Sequence, residues 1–140
     1  MLLLDTNVLS ELLRSQPAAP VLAWFAQQPA AALMTSAVTQ AEMLFGAALL
    51  PKGRRRQQLQ AAVTAMFNED FADRIWPFDS AAAAAYASLL TGRHAAGRPM
   101  AQFDAQIAAI AMSRGAALVT RNVGDFQGCG LALHNPWDAA

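Results

Sequence analysis

The sequence predicts an α/β fold in which a central parallel β-sheet of about five strands is flanked by helices in three layers, α/β/α. Short apolar runs at residues 1–4, 32–35 and 117–120 have the length and composition of buried strands. Longer segments with helically spaced apolar residues separate them. Strands separated by helices pair in parallel through right-handed crossovers, and such sheets bind ligands at the carboxyl ends of their strands.

The first half of the chain alternates strands and helices, with prolines and glycines between them. A strand at 1–4 is followed by a helix that turns Glu11 and Arg14 outward and stops before Pro17. Pro20 begins a second helix, which ends by Pro29. After the strand at 32–35, Ser36 caps a helix reaching about Leu50. Its predicted inward positions are Val38, Ala41, Phe45, Ala48 and Leu49.

The second half continues the same alternation. Residues 54–67 are predicted as a helix, and 74–78 as a strand whose Pro77 suggests a sheet edge or strand end. An alanine-rich helix capped by Asp79 or Ser80 follows, broken by Gly92 and then by residues 97–99. A helix at 102–114 stops at Gly115, a strand occupies 117–120, and a polar loop leads to a last strand at 131–134.

Size and composition narrow the class of protein. A chain of 140 residues predicts one domain over residues 1–140. Ten acidic and ten basic residues cancel, which argues against a nucleic-acid binder that depends on bulk positive charge. The single Cys129 excludes an intramolecular disulfide and a cysteine-cluster zinc site. With no long apolar run and no signal-peptide pattern, we expect a cytoplasmic protein that does not associate with membranes.

Four carboxylates lie beside apolar segments, where an ionised group is costly unless it is paired or binds a metal. Asp5 follows the first strand, Glu42 lies within an apolar helix pattern, Asp104 opens another helix, and Asp125 follows a late strand. If the fold brings the four together at one sheet edge, they repel one another, and a divalent cation is the simplest remedy.

Each carboxylate also has an ordinary structural interpretation. Asp5 serves as a helix cap, alone or with Thr6 or Asn7; Asp104 suits the first turn of a helix; Asp125 is common in loops. Glu42 is harder to explain in this way, because Val38, Phe45 and Leu49 lie at the same helical spacing and predict a core-facing position. Both interpretations remain open from these residues alone.

Further polar residues lie close to these acids in the sequence. Thr120 and Asn122 are candidates to orient a ligand at the end of the late strand. Arg98 and Arg121 flank the acid-bearing segments and are the better candidates for phosphate contacts, whereas the run at 54–56 is predicted to be a solvated helix start. Hard oxygen ligands select Mg²⁺ or Mn²⁺, and a carboxylate-rich site of this kind suits phosphodiester hydrolysis.

The ordered set of these segments resembles the PIN-domain ribonucleases. It is most similar to the VapC-type toxins of bacterial type II toxin–antitoxin pairs, in segments 3–9, Thr39-x-x-Glu42, 98–109 and 120–126. The ending Asn135-Pro136-Trp137 resembles the FitB-like branch. The resemblance implies a single PIN-like α/β/α domain that uses Mg²⁺ or Mn²⁺ to cut RNA.

The resemblance also implies roles and partners. The three core acids of the family match Asp5, Glu42 and Asp104 as metal ligands, while many members carry an acid where this chain has Asn122, so Asp125 is the substitute or supporting acid. A homodimer and a cognate antitoxin that blocks the site are implied as well. Trp24, Phe25 and Tyr86 are predicted to supply apolar surface for partners.

Other function classes fit the residues less well. A catalytically silent domain that only binds RNA or a partner would have no need of the acidic trio. A haloacid-dehalogenase-type phosphotransferase requires an acid at the position of Asn7. A receiver-type phosphotransferase requires a lysine after a late strand, whereas the only lysine here is Lys52.

Overall fold

The strands of the protein form one parallel sheet with the first strand at its centre. The structure, a computed structural model, describes residues 1–138. The strands are β1 (Leu2–Leu4), β2 (Leu33–Ser36), β3 (Ile75–Trp76), β4 (Ala117–Val119) and β5 (Leu133–His134). Their order across the sheet is β3-β2-β1-β4-β5, and every pairing is parallel.

Helices connect the strands and cover both faces of the sheet. They are α1 (Thr6–Leu12), α2 (Ala19–Ala26), α3 (Ala37–Ala48), α4 (Arg54–Ala65), α5 (Ser80–Ala95), α6 (Gln102–Ser113) and α7 (Val123–Phe126). A 3-10 turn covers Ala30–Ala32, and a π-helical turn, Met66–Asp70, continues α4. No helix among residues 1–138 has both the length and the apolar character needed to cross a bilayer.

Side chains alternate across the central strands, so the sheet separates two cores. Leu3 and Leu118 pack on one side among the buried residues of α5 and α6, including Ile107 and Ile110. Leu4 and its neighbours pack on the other side with residues from α1, α3 and α4. The predicted three-layer α/β/α arrangement with five strands is confirmed.

The termini of several helices show why the elements begin and end where they do. Ser36 caps α3 by accepting a hydrogen bond from the Thr39 amide, and Asp79 caps α5 through the Ala82 amide. Gly115 follows α6 with a φ of +64°, a left-handed conformation that favours glycine.

The predicted inward face of α3 was correct at Val38 and wrong at Ala41, Phe45, Ala48 and Leu49. Its buried residues are Val38, Thr39, Met43 and Ala47, whereas Phe45 and Leu49 are 65% and 67% exposed. The helix carries two apolar stripes, and helical spacing does not say which one meets the sheet. Glu42 therefore lies on a half-buried flank between the stripes, not on a core-facing one.

Other local predictions also need correction. Glu11 is buried, not outward, because its carboxylate accepts a hydrogen bond from the Ala18 amide and pairs with Arg14. Gly92 lies inside α5 instead of breaking it.

The C-terminal part and one partner-surface residue differ from expectation too. The predicted polar loop contains the short helix α7, and β5 starts at Leu133, two residues later than expected.

Trp24 is only 9% exposed and belongs to the core, so it offers little surface to a partner. The indole ring is buried because burying a large aromatic side chain stabilises the core of a small domain.

Candidate active site

Asp5 lies at the carboxyl end of the central strand and is held from three sides. Its backbone amide donates to the Val119 carbonyl at 2.9 Å, which continues the ladder between β1 and β4. One carboxylate oxygen accepts from the Thr6 amide and caps α1; the other accepts from the Thr120 hydroxyl, both at 2.8 Å. The predicted capping role and the predicted place at the sheet edge therefore occur together.

Glu42 approaches Asp5 through Thr6. The Thr6 hydroxyl donates to a Glu42 carboxylate oxygen at 2.7 Å and lies 3.1 Å from the Thr39 hydroxyl. Thr6 thus touches both acids, through its amide for Asp5 and its hydroxyl for Glu42.

Asp104 and Asp125 reach the same region from the other side. Asp104 is half-buried in the first turn of α6, and Asp125 is exposed on α7. Burial raises the pKa of Asp104, and the charges of Asp125 and Glu42 raise it further. The structure thus brings Asp104 within electrostatic range of both other acids.

The buried Asp5 carboxyl has the most perturbed pKa of the cluster. Burial raises it from 3.8 to about 6, against the opposing effect of the hydrogen bonds from Thr120 and Thr6. The charges of Asp104 and Glu42 raise it further. This carboxyl therefore carries a free-energy cost when it is ionised without a counter-charge.

The acids have no cationic partner in the part of the chain that the structure describes. Ion pairs within residues 1–138 join Arg14 to Glu11 and Arg114 to Asp79. In the same range, no three acidic, histidine or cysteine side chains stand close enough together to hold a metal ion as they are. Asp5 and Glu42 instead direct oxygens at the threonines.

Thr120, Asn122 and Asn7 support the edge of the site mostly through the backbone. The Thr120 hydroxyl, which donates to Asp5, accepts from the Asn122 amide at 3.1 Å. The Asn7 side-chain oxygen accepts from the Arg121 amide at 3.3 Å. The Asn122 side chain itself is exposed and makes no hydrogen bond in the described structure.

Two hollows flank the acids. The first, which we call the α1–α3–α4 groove, is about 830 Å³ and is bounded by Thr6, Arg14, Glu42, Arg55 and Val63. The second, the Asp104 hollow, is about 430 Å³ and is bounded by Arg93, Arg98, Asp104 and Asp125. Arg98 thus lies beside two of the acids, as its place in the sequence suggested.

The other predicted phosphate contact, Arg121, lies at the C-terminal side of the site. Its guanidinium stacks over the Trp137 ring at 4.9 Å, and its carbonyl accepts from the Asn135 side chain. The Asn135-Pro136-Trp137 ending therefore holds an exposed arginine next to the strand end that carries Thr120.

Sequence reasoning missed one residue of this region, Arg93. The residue is 9% exposed, and its guanidinium donates to three backbone carbonyls, those of Arg98, Asp125 and Gln127. An arginine in the last turn of a helix is usually explained by the helix dipole, so the sequence carried no signal of this role.

Comparisons with known proteins agree with this architecture. The PIN domain profile matches residues 2–127. The chain is 39% identical to the VapC ribonuclease Y4jK of Sinorhizobium fredii, over all of both chains. It is also 39% identical to the toxin FitB of Neisseria gonorrhoeae, over 98% of this chain and 99% of that protein.

A solved structure gives the same result. The structure of FitAB bound to an IR36 DNA fragment superposes with a TM-score of 0.93 at 38% identity, covering 100% of this chain and 98% of that one. The family profile, these relatives and the superposed structure agree, and the chain belongs to the PIN-domain family, among the relatives of the VapC and FitB toxins.

Proposed function

We propose that the protein is a metal-dependent endoribonuclease, the toxin of a toxin–antitoxin pair, acting in the cytoplasm as a single domain of residues 1–140. The observation that carries the proposal is the convergence of Asp5, Glu42 and Asp104 at one sheet edge without a cation. The names of the relatives, a VapC ribonuclease and a FitB toxin, support the same reading.

The chemistry of the donor set fits Mg²⁺ or Mn²⁺. Carboxylate oxygens are the ligands these ions prefer, and a divalent charge would offset both the burial that chiefly raises the pKa of Asp5 and the smaller repulsion from Asp104 and Glu42. Asp5, Glu42 and Asp104 would hold the ion, although their side chains have to close up to do so. When bound, the ion supplies Lewis-acid stabilisation and a more acidic water.

The chain's own residues then position and protect the reacting groups. Thr120 and the Thr6 amide fix the Asp5 carboxylate, and the Thr6 hydroxyl fixes Glu42. Exposed Asp125, next to Asp104, orients or deprotonates water. Arg98 in the Asp104 hollow and Arg121 at the strand end contact RNA phosphates.

Two surfaces of the molecule support the proposed partners. A cognate antitoxin inhibits the enzyme by seating a segment in the α1–α3–α4 groove and presenting a basic side chain to the acids. A homodimer buries the exposed apolar stripe of α3, formed by Leu44, Phe45 and Leu49. Light scattering at tens of micromolar that gives a monomer would contradict the dimer.

The test of the enzymatic proposal is cleavage of single-stranded RNA by the EDTA-dialysed protein, with and without added Mn²⁺. We expect cleavage only with metal, and loss of cleavage in Asp5→Asn, Glu42→Gln and Asp104→Asn. Glu69→Gln, which neutralises an exposed acid outside the site, is the matched control and should cleave like wild type. RNA that is bound but never cut would favour the catalytically silent alternative.

The phosphotransferase alternatives fit the structure less well. A receiver-type fold has strand order 2-1-3-4-5, which differs from the order β3-β2-β1-β4-β5 observed here. Asn7, at the position where a haloacid-dehalogenase-type enzyme needs a second acid, is engaged with the Arg121 amide.

A further inference from the structure

Arg93 joins the two segments that carry Asp104 and Asp125. Its Nε donates to the Arg98 carbonyl at 2.8 Å, in the segment that leads into α6 and Asp104. Nη1 donates to the Gln127 carbonyl at 2.7 Å and Nη2 to the Asp125 carbonyl at 3.3 Å, both on the other side of the Asp104 hollow. One buried side chain thus spans both walls of the hollow.

The backbone reinforces this connection on the α5 side. The Arg98 amide donates to the Arg93 carbonyl at 2.9 Å, so side chain and main chain of Arg93 both hold Arg98. Gly97 makes the turn between them with a φ of +67°. The Arg93 side chain therefore projects from a helix end that the backbone holds in place, toward the segment that carries Asp125.

A guanidinium suits this task because it has five donors in a rigid plane and keeps its charge when buried. Lysine has a single flexible ammonium and cannot reach three carbonyls in two directions with the same geometry. Burying the charge is costly, and the three carbonyl partners compensate for it.

We infer that Arg93 is a positioning residue of the proposed metal site: it sets the place of Asp125 relative to Asp104. The expected effect on metal binding rests on the proposed function. The expected effect on the structure rests only on the hydrogen bonds of Arg93. Arg93 does not touch the acids' carboxylates; it acts through the backbone of residues 98 and 125–127.

Arg93 could affect the acids through its positive charge or through the backbone segments that it holds, and the two roles predict opposite effects on Mn²⁺ affinity. If Arg93 acts through its charge, removing that charge should tighten Mn²⁺ binding, because the acids then attract the ion more strongly. If it acts by position, Arg93→Gln and Arg93→Lys should both weaken Mn²⁺ binding, by about tenfold, as loss of supporting partners does in other metal sites. Isothermal titration of the EDTA-dialysed full chain with Mn²⁺ separates the two; unchanged or tighter binding in both variants overturns the inference.

Arg74 provides the matched control. It too donates to three backbone carbonyls, those of Ala30, Leu33 and Asp70, none of which borders the acids. Arg74→Gln should lower the melting temperature yet leave Mn²⁺ affinity at the wild-type value. If both arginine variants lower affinity alike, the effect is general loss of stability and Arg93 has no special role.

The route through Asp125 is tested by a double-mutant cycle. In an Asp125→Asn background, Arg93→Gln should cost no further Mn²⁺ affinity, because the group that it positions is already neutral. A further tenfold loss in that background overturns the inference.

A metal-free readout keeps this inference distinct from the proposed function. Wild type that neither binds Mn²⁺ nor cleaves RNA would refute the proposed function alone. Crystals of metal-free Arg93→Gln, or of Arg93→Lys should the first variant not fold, then decide the inference. We expect residues 125–127 displaced from residue 104 relative to wild type, and an unmoved segment overturns it.

Discussion

The Asp5 carboxyl contributes less to the stability of the metal-free protein at neutral pH than at acidic pH, and Asp5→Asn should remove this pH dependence. The folded-state pKa is about 6, against an ordinary value of 3.8. The folded protein therefore keeps this proton to higher pH than the unfolded chain does. The contribution of Asp5 to stability is full below about pH 4, falls as the pH rises to about 6 and is flat above that.

The size of the effect follows from the shift. Two pKa units at about 1.4 kcal/mol each give about 3 kcal/mol of lost stability at pH 8. Asparagine caps a helix as well as aspartate does, so the bond to the Thr6 amide survives. The Thr120 hydroxyl loses its carboxylate acceptor at a cost of about 1 kcal/mol. The net gain is about 2 kcal/mol, or about 6 °C in melting temperature.

The assay is urea denaturation of wild type and Asp5→Asn in EDTA at intervals between pH 4 and pH 8. The stability difference between the two proteins should rise from about zero or slightly negative at pH 4 to about 2 kcal/mol at pH 8. Taking the difference cancels acids common to both proteins. A difference that is constant across this range, or that favours wild type at pH 8, refutes the reasoning.

Three further outcomes are expected. At a millimolar Mn²⁺ concentration a hundred times its Kd, calorimetry should show the melting temperature of wild type raised by about 8 °C and that of Glu42→Gln raised much less. Equal shifts would mean that Glu42 is not a ligand of the ion. Arg98→Ala and Arg121→Ala should each reduce the slope of log RNA affinity against log salt by about 0.7, and an unchanged slope would take that arginine out of the RNA path. Ile110→Ala should cost about 2–5 kcal/mol in urea denaturation, since Ile110 is fully buried in the α6 core; a loss under 1 kcal/mol would mean the core collapses around it.

Element order and the sheet edge were predictable because the chain marks them with local chemistry. Pro20 starts α2, Ser36 caps α3 and Gly115 ends α6, and each acts within one helical turn of its own position. Apolar runs predicted the three central strands, and parallel pairing then placed residues 5 and 120 at one edge.

Features set by distant contacts were not predictable in the same way. Phe45 and Met43 are both apolar on one helix, and only the position of the sheet decides that Met43 is buried and Phe45 exposed. Glu11 is buried by the Ala18 amide, and Arg93 by carbonyls 32 to 34 residues away. Backbone acceptors have no sequence signature, so the partners of these charged side chains could not be read in advance.

The bond from Thr120 to Asp5 also has a consequence for biosynthesis. It joins residues 115 positions apart, and the ladder from β1 to β4 spans the same distance. At roughly 5–20 residues per second, a ribosome needs about 6 to 23 seconds to add the second partner after the first. Throughout that interval the acid lacks the strand that fixes it. For the proposed nuclease, we therefore expect the site to stay unformed on a growing chain until Thr120 has been added.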